Sequence, residues 1–182
     1  MIILRKAFQS LANELEQNRR KSSQNHLLNL LEVKRIHQNF DSSILERDFQ
    51  YDDFVCASIL IDRYNEFVKE YDIDKQYYFK MLIINICEQI INSFYKCVGV
   101  NMGKEKIGLI INVESPEINN LEDVLQECFK RIQNETAKIF DYTISVGIGR
   151  CYKGYAQIPL SYMEATQALK FKIVYGHGSI IM

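Results

Sequence analysis

The chain has 182 residues, of which 47% are hydrophobic and 25% are charged, and its net charge is −1 at pH 7. This length predicts one domain that buries a core without disulfides or structural metals, while the near-neutral charge argues against a nucleic-acid-binding module. No apolar run reaches the ~20 residues that a membrane-spanning helix needs. The five cysteines include no C-x-x-C pair, and the three histidines have no acidic or cysteine neighbour at ligand spacing, so we expect buried thiols in a reducing cytoplasm, no metal and no cofactor.

The N-terminal segment is predicted to be helical over Ile3–Lys21, because apolar residues recur there at the spacing of a short coiled-coil seam. The seam consists of Leu4, Phe8, Leu11 and Leu15. So short a seam can pack either on the rest of the domain or on a second copy of the chain, and the sequence leaves both open. A second helix is predicted over His26–Val33, and residues 1–33 are interpreted as a helical linker.

The next two elements are a buried strand and a long helix. Asp53–Tyr64 is continuously apolar, which predicts a central strand covered on both faces, with Asp62 near its end. Lys75–Tyr95 carries apolar residues at helical spacing on one wide stripe that includes Phe94. The acidic run Asp72–Asp74 is interpreted as a solvated turn rather than as a cation site.

The clearest local signal in the chain is a β-hairpin. Two strand-like runs, Cys97–Asn101 and Glu105–Val113, flank the tripeptide Met102-Gly103-Lys104. Gly103 supplies the backbone freedom that a tight turn requires. The hairpin follows the long helix directly, so a strand, a helix and two strands succeed one another.

A helix and a strand follow the hairpin. The helix is predicted over Asn120–Ile139, with Asn120 as its N-cap. The strand, Tyr142–Gly149, alternates large apolar residues with small ones. Its small face lets either a helix or a ligand lie close, and a helix is the commoner case.

The last helix is predicted to begin at a capping box and to end at a glycine. Ser161 and Glu164 match the S-x-x-E pattern of that box, and Gly176 is the expected C-terminal residue. Ser179–Met182 is then a short final strand. The chain therefore contains β-α-β-β-α-β, the ferredoxin-like arrangement, and we predict an α+β domain over residues 52–182 with a mixed sheet flanked by helices and an N-terminal helical extension.

The order of elements and the C-terminal motifs resemble the GGDEF domain, the fold of diguanylate cyclases. "YTISVGIG" and "EATQALKFKIVYG" match the family's T-x-S-x-G strand and A-x-x-A-L helix, and the match extends over Phe54–Ile181. "LIDRY", "NICEQI" and "SYMEATQAL" resemble more closely the divergent GGDEF-like domains of bacterial transcription regulators, including membrane-anchored AraC-type ones.

The resemblance implies a degenerate active site. Active members hold metal-bound phosphates with carboxylates from a D-x-D-x-F-K strand end and from the hairpin turn. Aligning that Phe with Tyr64 puts Leu60 at the metal-binding Asp and leaves only Asp62. The Gly-Gly-Asp-Glu-Phe motif falls on Gly103, Lys104, Glu105, Lys106 and Ile107. One carboxylate, Glu105, survives there and is expected to be solvated, so we predict no catalytic residue.

The sequence leads to one principal function and two alternatives. The resemblance implies a non-catalytic signalling domain of a bacterial transcription regulator, a cytoplasmic homodimer that relays a signal to DNA-binding units outside this chain. A membrane-anchored sensor upstream is one arrangement that such regulators show. The alternatives are a sensor that binds an unidentified small molecule in the eroded cleft near Asp62 and Glu105, and a residual diguanylate cyclase.

Overall fold

The computed structural model describes residues 24–32, 49–114 and 120–182. The predicted seam of Leu4, Phe8, Leu11 and Leu15 lies outside the described residues. Within them, the helices are α1 (24–32), α2 (Tyr64–Glu70), α3 (Ile73–Ile91), α4 (Leu121–Ala137), α5 (Ile158–Ala168) and α6 (Lys172–Tyr175). The strands are β1 (Asp53–Ile61), β2 (Lys96–Asn101), β3 (Lys106–Val113), β4 (Ile144–Ile148), β5 (Tyr152–Lys153) and β6 (Ile180–Ile181).

The strands form one mixed sheet in the order β2-β3-β1-β4-β6, with β5 paired to β1 beside this path. All pairings are antiparallel except that of β4 with β6. The central strand is β1, and its alternate residues point into two different clusters of buried side chains. The predicted α+β fold, with a mixed sheet flanked by helices, is therefore confirmed.

Two helical layers cover the sheet. Helices α3 and α4 pack on the face to which Val55, Ala57 and Ile59 of β1 point. Helices α1 and α5 pack on the other face, where Phe54 and Cys56 point. Because both faces are covered, β1 reads in the sequence as an uninterrupted apolar run. All five cysteines are free, and four of them are buried.

Helix α1 packs on its own domain. Its Leu27, Leu30 and Leu31 are buried in the cluster that contains Val100 of β2 and Ile110 of β3. The Gln24 side chain donates a hydrogen bond of 2.9 Å to the Gly99 carbonyl on the outer edge of β2. The described part of the N-terminal linker is thus attached to the hairpin strands.

Several boundaries differ from the sequence prediction. Strand β1 ends at Ile61, and Arg63, with φ of 51°, turns the chain into the unpredicted helix α2. Phe94 lies beyond the end of α3 and is 58% exposed, so its place on the buried stripe was wrong. The cause is Asn92 at the C-cap of α3, whose side chain accepts a hydrogen bond from the Cys97 N–H and begins the turn into β2.

The capping box predicted at Ser161 and Glu164 was also wrong. Helix α5 begins three residues earlier, at Ile158, and has a proline in its first turn, where a missing N–H has no consequence. Asn120 does occupy the N-cap position of α4, but its side chain makes no capping hydrogen bond. The single helix predicted up to Gly176 is divided into α5 and α6 by a 3-10 turn over Leu169–Phe171, and Gly176, with φ of 86°, ends α6.

Candidate functional site

The candidate site lies where β1 ends beside the turn between β2 and β3. Leu60 pairs with Lys106 in the ladder of β1 and β3, and the Ile61 N–H donates to the Glu105 carbonyl at 3.1 Å. The sheet therefore brings together the two segments that the alignment identified as the cyclase positions. Asp62, which follows β1, lies on the opposite side of the strand end, next to the beginning of β4.

The hairpin turn has the geometry that Gly103 predicted. Gly103 has φ of 80°, and the next residue, Lys104, has φ of 37°. The Gly103 N–H donates to the Asn101 side chain at 3.0 Å, and the Gly103 carbonyl accepts from the Lys106 N–H at 3.0 Å. Both Gly103 and Lys104 are exposed. The turn thus presents a lysine to solvent where the aligned motif has its second glycine.

Asp62 is fully buried and surrounded by donors. Its Oδ2 accepts hydrogen bonds from Thr143 Oγ1 at 2.6 Å and from the Gly178 N–H at 2.9 Å. Its Oδ1 accepts from Ser145 Oγ at 2.8 Å, forms an ion pair with Lys172 Nζ, and lies 3.2 Å from His177 Nδ1. These groups fill the lone-pair directions of both oxygens. We call Asp62 and these five surrounding residues the Asp62 cluster.

The electrostatics of the cluster keep Asp62 ionised. Burial by itself raises the pKa of the Asp62 carboxyl, but the Lys172 ammonium and the hydrogen bonds from Thr143, Gly178 and Ser145 outweigh burial, so the pKa is lowered. The carboxylate therefore anchors the segment that contains α6 and β6 to the end of β1. The histidines had no local carboxylate in the sequence; His177 finds one through the fold.

Lys80 is a buried cation near the candidate site that the sequence analysis missed. It lies on α3, is only 6% exposed, and places its ammonium 5.6 Å from the centre of the Tyr64 ring. Burial lowers the pKa of Lys80, and the Glu105 carboxylate partly offsets this effect. Glu105 itself is half-buried rather than fully solvated. The signal was present, because Lys80 shares its helical spacing with Ile83, Ile84 and Cys87, which are buried.

Helix α5 covers the small face of β4. A Cβ atom on Gly147 would lie 2.0 Å from the Ala165 carbonyl oxygen, and one on Gly149 would lie 2.0 Å from that of Ser161. The backbone of α5 therefore rests directly on β4, and no ligand fits between them. Of the two coverings that the sequence left open, the structure has the helix.

The polar residues of α5 attach this helix to the sheet. Ser161 Oγ accepts from the Cys56 N–H at 2.8 Å and donates to the Arg150 carbonyl at 2.7 Å. Glu164 accepts from the Arg150 N–H at 3.0 Å and from the Tyr152 hydroxyl at 2.7 Å. The S-x-x-E pattern is thus a set of tertiary contacts.

A divalent metal, which the chemistry of GGDEF cyclases requires, does not fit the residues present. The Leu60 side chain has no ligand atom, and both oxygens of Asp62 are occupied by protein donors. Across residues 24–32, 49–114 and 120–182, no group of three or more His, Cys, Asp or Glu residues is arranged to hold a metal ion. In the same part of the chain, no helix is long and apolar enough to cross a membrane.

Comparisons with known proteins agree with this fold. The family model described as a GGDEF-like domain matches residues 61–171, more than half of the chain. No curated protein matches the chain.

Solved structures of GGDEF domains are similar in fold. The active GGEEF domain of a diguanylate cyclase from Vibrio cholerae is 16% identical, with a TM-score of 0.55 over 71% of this chain and 82% of that one. The GGDEF domain of DgcB from Caulobacter crescentus, in complex with c-di-GMP, is 13% identical, with a TM-score of 0.55 over 71% and 77%. Diguanylate cyclase SiaD from Pseudomonas aeruginosa, in complex with its activator SiaC, is 15% identical, with a TM-score of 0.56 over 99% and 76%. On its sequence match and its fold, the chain belongs to the family of GGDEF-like domains.

Proposed function

We propose that this domain is a non-catalytic signalling module of a bacterial transcription regulator. It relays a signal from an upstream sensor to a downstream DNA-binding region, and it acts as a dimer. The observation that supports the loss of catalysis is the Asp62 cluster. Asp62 is the one carboxylate that remains at the aligned positions after β1. Both of its oxygens bind protein donors, so neither oxygen is left for a metal.

The residues around the cluster support the same proposal. Joining two nucleoside triphosphates requires divalent metal on the phosphates, held by carboxylates. Leu60 lies opposite Lys106 in the ladder, so an apolar side chain and an ammonium replace the ligands. Glu105 is the one carboxylate left in the turn, and it lies within the electrostatic influence of Lys80. A single carboxylate beside a fixed cation is a weak ligand for a metal ion.

Helix α1 supplies a route for the relay. A Cβ atom on Gly108 of β3 would lie 2.6 Å from Leu31 Cδ1 of α1, and the Met102 side chain is the next neighbour. A displacement of α1 by an upstream segment would therefore act directly on the hairpin. Since protein interiors are closely packed, such a displacement is transmitted rather than absorbed.

Incubation of the full chain with GTP and Mg²⁺ or Mn²⁺, followed by chromatography, tests the loss of catalysis. We expect GTP to remain unchanged under conditions in which an active diguanylate cyclase consumes it. Formation of a cyclic dinucleotide by the wild type, but not by a Glu105→Gln variant, would refute the proposal. The regulator part is tested separately by the gene sequence around these codons, where we expect helix-turn-helix units in the same reading frame; their absence would contradict it.

In the ligand-sensor alternative, the small face of β4 would form part of the binding cleft. This part is not available to a ligand, because α5 covers it. A thermal-shift measurement with GTP, cyclic dinucleotides and common metabolites at millimolar concentration decides this alternative. We expect no shift in melting temperature, and a saturable shift would favour the sensor.

A further inference from the structure

Two exposed apolar patches lie on elements that are attached to the end of β1. The acidic patch comprises Val68, Ile73, Tyr77 and Tyr78 on α2 and α3, and Ile73 is 81% exposed. The basic patch comprises Phe171, Ile173, Val174 and Tyr175 in and before α6, and Ile173 is 93% exposed. Single exposed apolar residues are ordinary, but each of these sets has four exposed apolar residues within 11 residues of chain, and such a concentration marks a candidate interaction surface.

Both patches are held firmly by the fold. Helix α2 is anchored by Phe67, which is buried against the rings of Phe79 and Tyr142. Helix α6 is anchored by Lys172 through its ion pair with Asp62. Since Asp62 lies one residue before the turn into α2, the same carboxylate connects the elements that carry the two patches. A rigid patch loses little conformational entropy when it binds a partner.

The charges around the patches have opposite sign. Residues 63–78 contain four carboxylates (Glu66, Glu70, Asp72 and Asp74), two lysines and Arg63, a net charge of −1, and Arg63 is ion-paired with Glu66. Residues 165–182 contain Lys170, Lys172 and His177 and no acidic side chain. Lys172 and His177 both contact Asp62, which leaves Lys170 as the cation of the basic patch. Contact of two like patches would juxtapose like charges, whereas contact of unlike patches is electrostatically favourable.

The area of the patches indicates how two copies combine. Each patch exposes more than half of two aromatic rings together with aliphatic side chains, which amounts to on the order of 400–500 Å². A standard stable interface buries about 800 Å² on each partner. One contact between unlike patches provides roughly half of that area. A two-fold dimer uses both patches of each copy and reaches it.

We propose that this chain forms a two-fold homodimer in which the acidic patch of each copy binds the basic patch of the other. The proposal names the contact on which the dimeric relay of the proposed function rests. It does not depend on the absence of catalysis, so a monomeric protein without cyclase activity refutes only the contact.

Sedimentation velocity of the full chain at micromolar concentration tests the contact. The two variants are Ile73→Lys, which puts a cation into the acidic patch, and Ile173→Asp, which puts an anion into the basic patch. We expect a dimer for the wild type and at least ~10-fold weaker association for each variant, because each places like charges opposite one another. Phe94→Asp is the matched control: Phe94 is exposed outside both patches, so this variant should remain dimeric. Circular dichroism verifies that each variant is folded.

A mixture of the two variants gives the most specific result. In a mixed dimer, one contact is wild type and the other pairs the new lysine with the new aspartate, so we expect the mixture to dimerise where neither variant does alone. A monomeric wild type would overturn the proposal. So would loss of the dimer in Ile173→Asp but not in Ile73→Lys, which indicates contact of like patches. A dimer that survives both variants but is lost in Leu11→Asp would assign the contact to the N-terminal seam instead.

Discussion

Replacing Asp62 with asparagine should destabilise the domain strongly. The substitution keeps the size of the side chain but removes the charge and replaces one acceptor oxygen with an NH₂ group. That group would face the donors Thr143 Oγ1 and the Gly178 N–H, or else Ser145 Oγ and the Lys172 ammonium. At least two hydrogen bonds to a buried charge are lost, each of which is worth about 1.5–3 kcal/mol.

The expected loss is about 3 kcal/mol in the free energy of unfolding. Removing one partner of a fully buried ion pair costs about 3–5 kcal/mol, and the lower end applies because the Lys172 side chain is 21% exposed and can reach water. For a domain of this length, about 3 kcal/mol corresponds to roughly 6–12 °C in melting temperature. Urea titration followed by circular dichroism measures the free energy directly.

Asp141→Asn is the control, because Asp141 is an exposed carboxylate two residues before Thr143 of the Asp62 cluster. It should change the free energy of unfolding by no more than about 0.5 kcal/mol. A loss below about 1 kcal/mol in Asp62→Asn, with an unchanged control, would show that the Asp62 cluster does not hold the C-terminal segment to β1.

Three further measurements test the charge of Asp62, the packing of α5 on β4, and the burial of β1. The pKa of Asp62 is lowered in the folded state, so its contribution to stability is complete above the unfolded pKa of about 3.9 and decreases below it. The difference in the free energy of unfolding between wild type and Asp62→Asn should therefore be constant from about pH 5 to 7. In urea titrations below about pH 4, this difference should shrink. Gly147→Ala should cost about 3 kcal/mol, the upper end of the usual range for overpacking, because its Cβ would overlap the Ala165 carbonyl. Gly103→Ala, with open space around it, should cost only about 1–2 kcal/mol for its positive φ. Equal losses in urea titrations would contradict the packing of α5. Burial raises the pKa of Cys56 to about 12, and that of the partly exposed Cys151 to about 11. A thiol reagent at about pH 8 should therefore label Cys151 before Cys56. Preferential labelling of Cys56 in a peptide map would refute the burial of β1.

The sequence was sufficient for the elements whose signals are local. The hairpin followed from Gly103 between two apolar runs, and the structure places β2 and β3 within one residue of the predicted bounds. The continuous apolar run of β1 predicted a strand buried on both faces. The structure confirms this, because both faces of β1 contribute side chains to core clusters. These signals need no knowledge of distant parts of the chain.

The Asp62 cluster could not be predicted in this way. Thr143, Ser145 and Gly178 are 81, 83 and 116 residues from Asp62 in the sequence, and no periodic pattern connects them. Ser161 and Glu164 show the opposite error. A local pattern suggested a helix cap, while their partners are backbone groups of β1 and of the segment after β4, together with the Tyr152 hydroxyl. Tertiary contacts determined the role of these side chains, and the pairing of the strands had to be known first.

The central claim is that the positions aligned with the metal ligands of GGDEF cyclases lack the ligands for a divalent cation in this chain. A Mn²⁺ titration of the full chain at a fixed GTP concentration, followed by electron paramagnetic resonance, tests it most directly. Bound Mn²⁺ loses the signal of the free ion, and because GTP also binds Mn²⁺, only a difference between two proteins at the same GTP concentration reports binding by the protein. The account predicts the same free Mn²⁺ signal with wild type as with Glu105→Gln at every concentration. Saturable Mn²⁺ binding by the wild type that is lost in Glu105→Gln would contradict it.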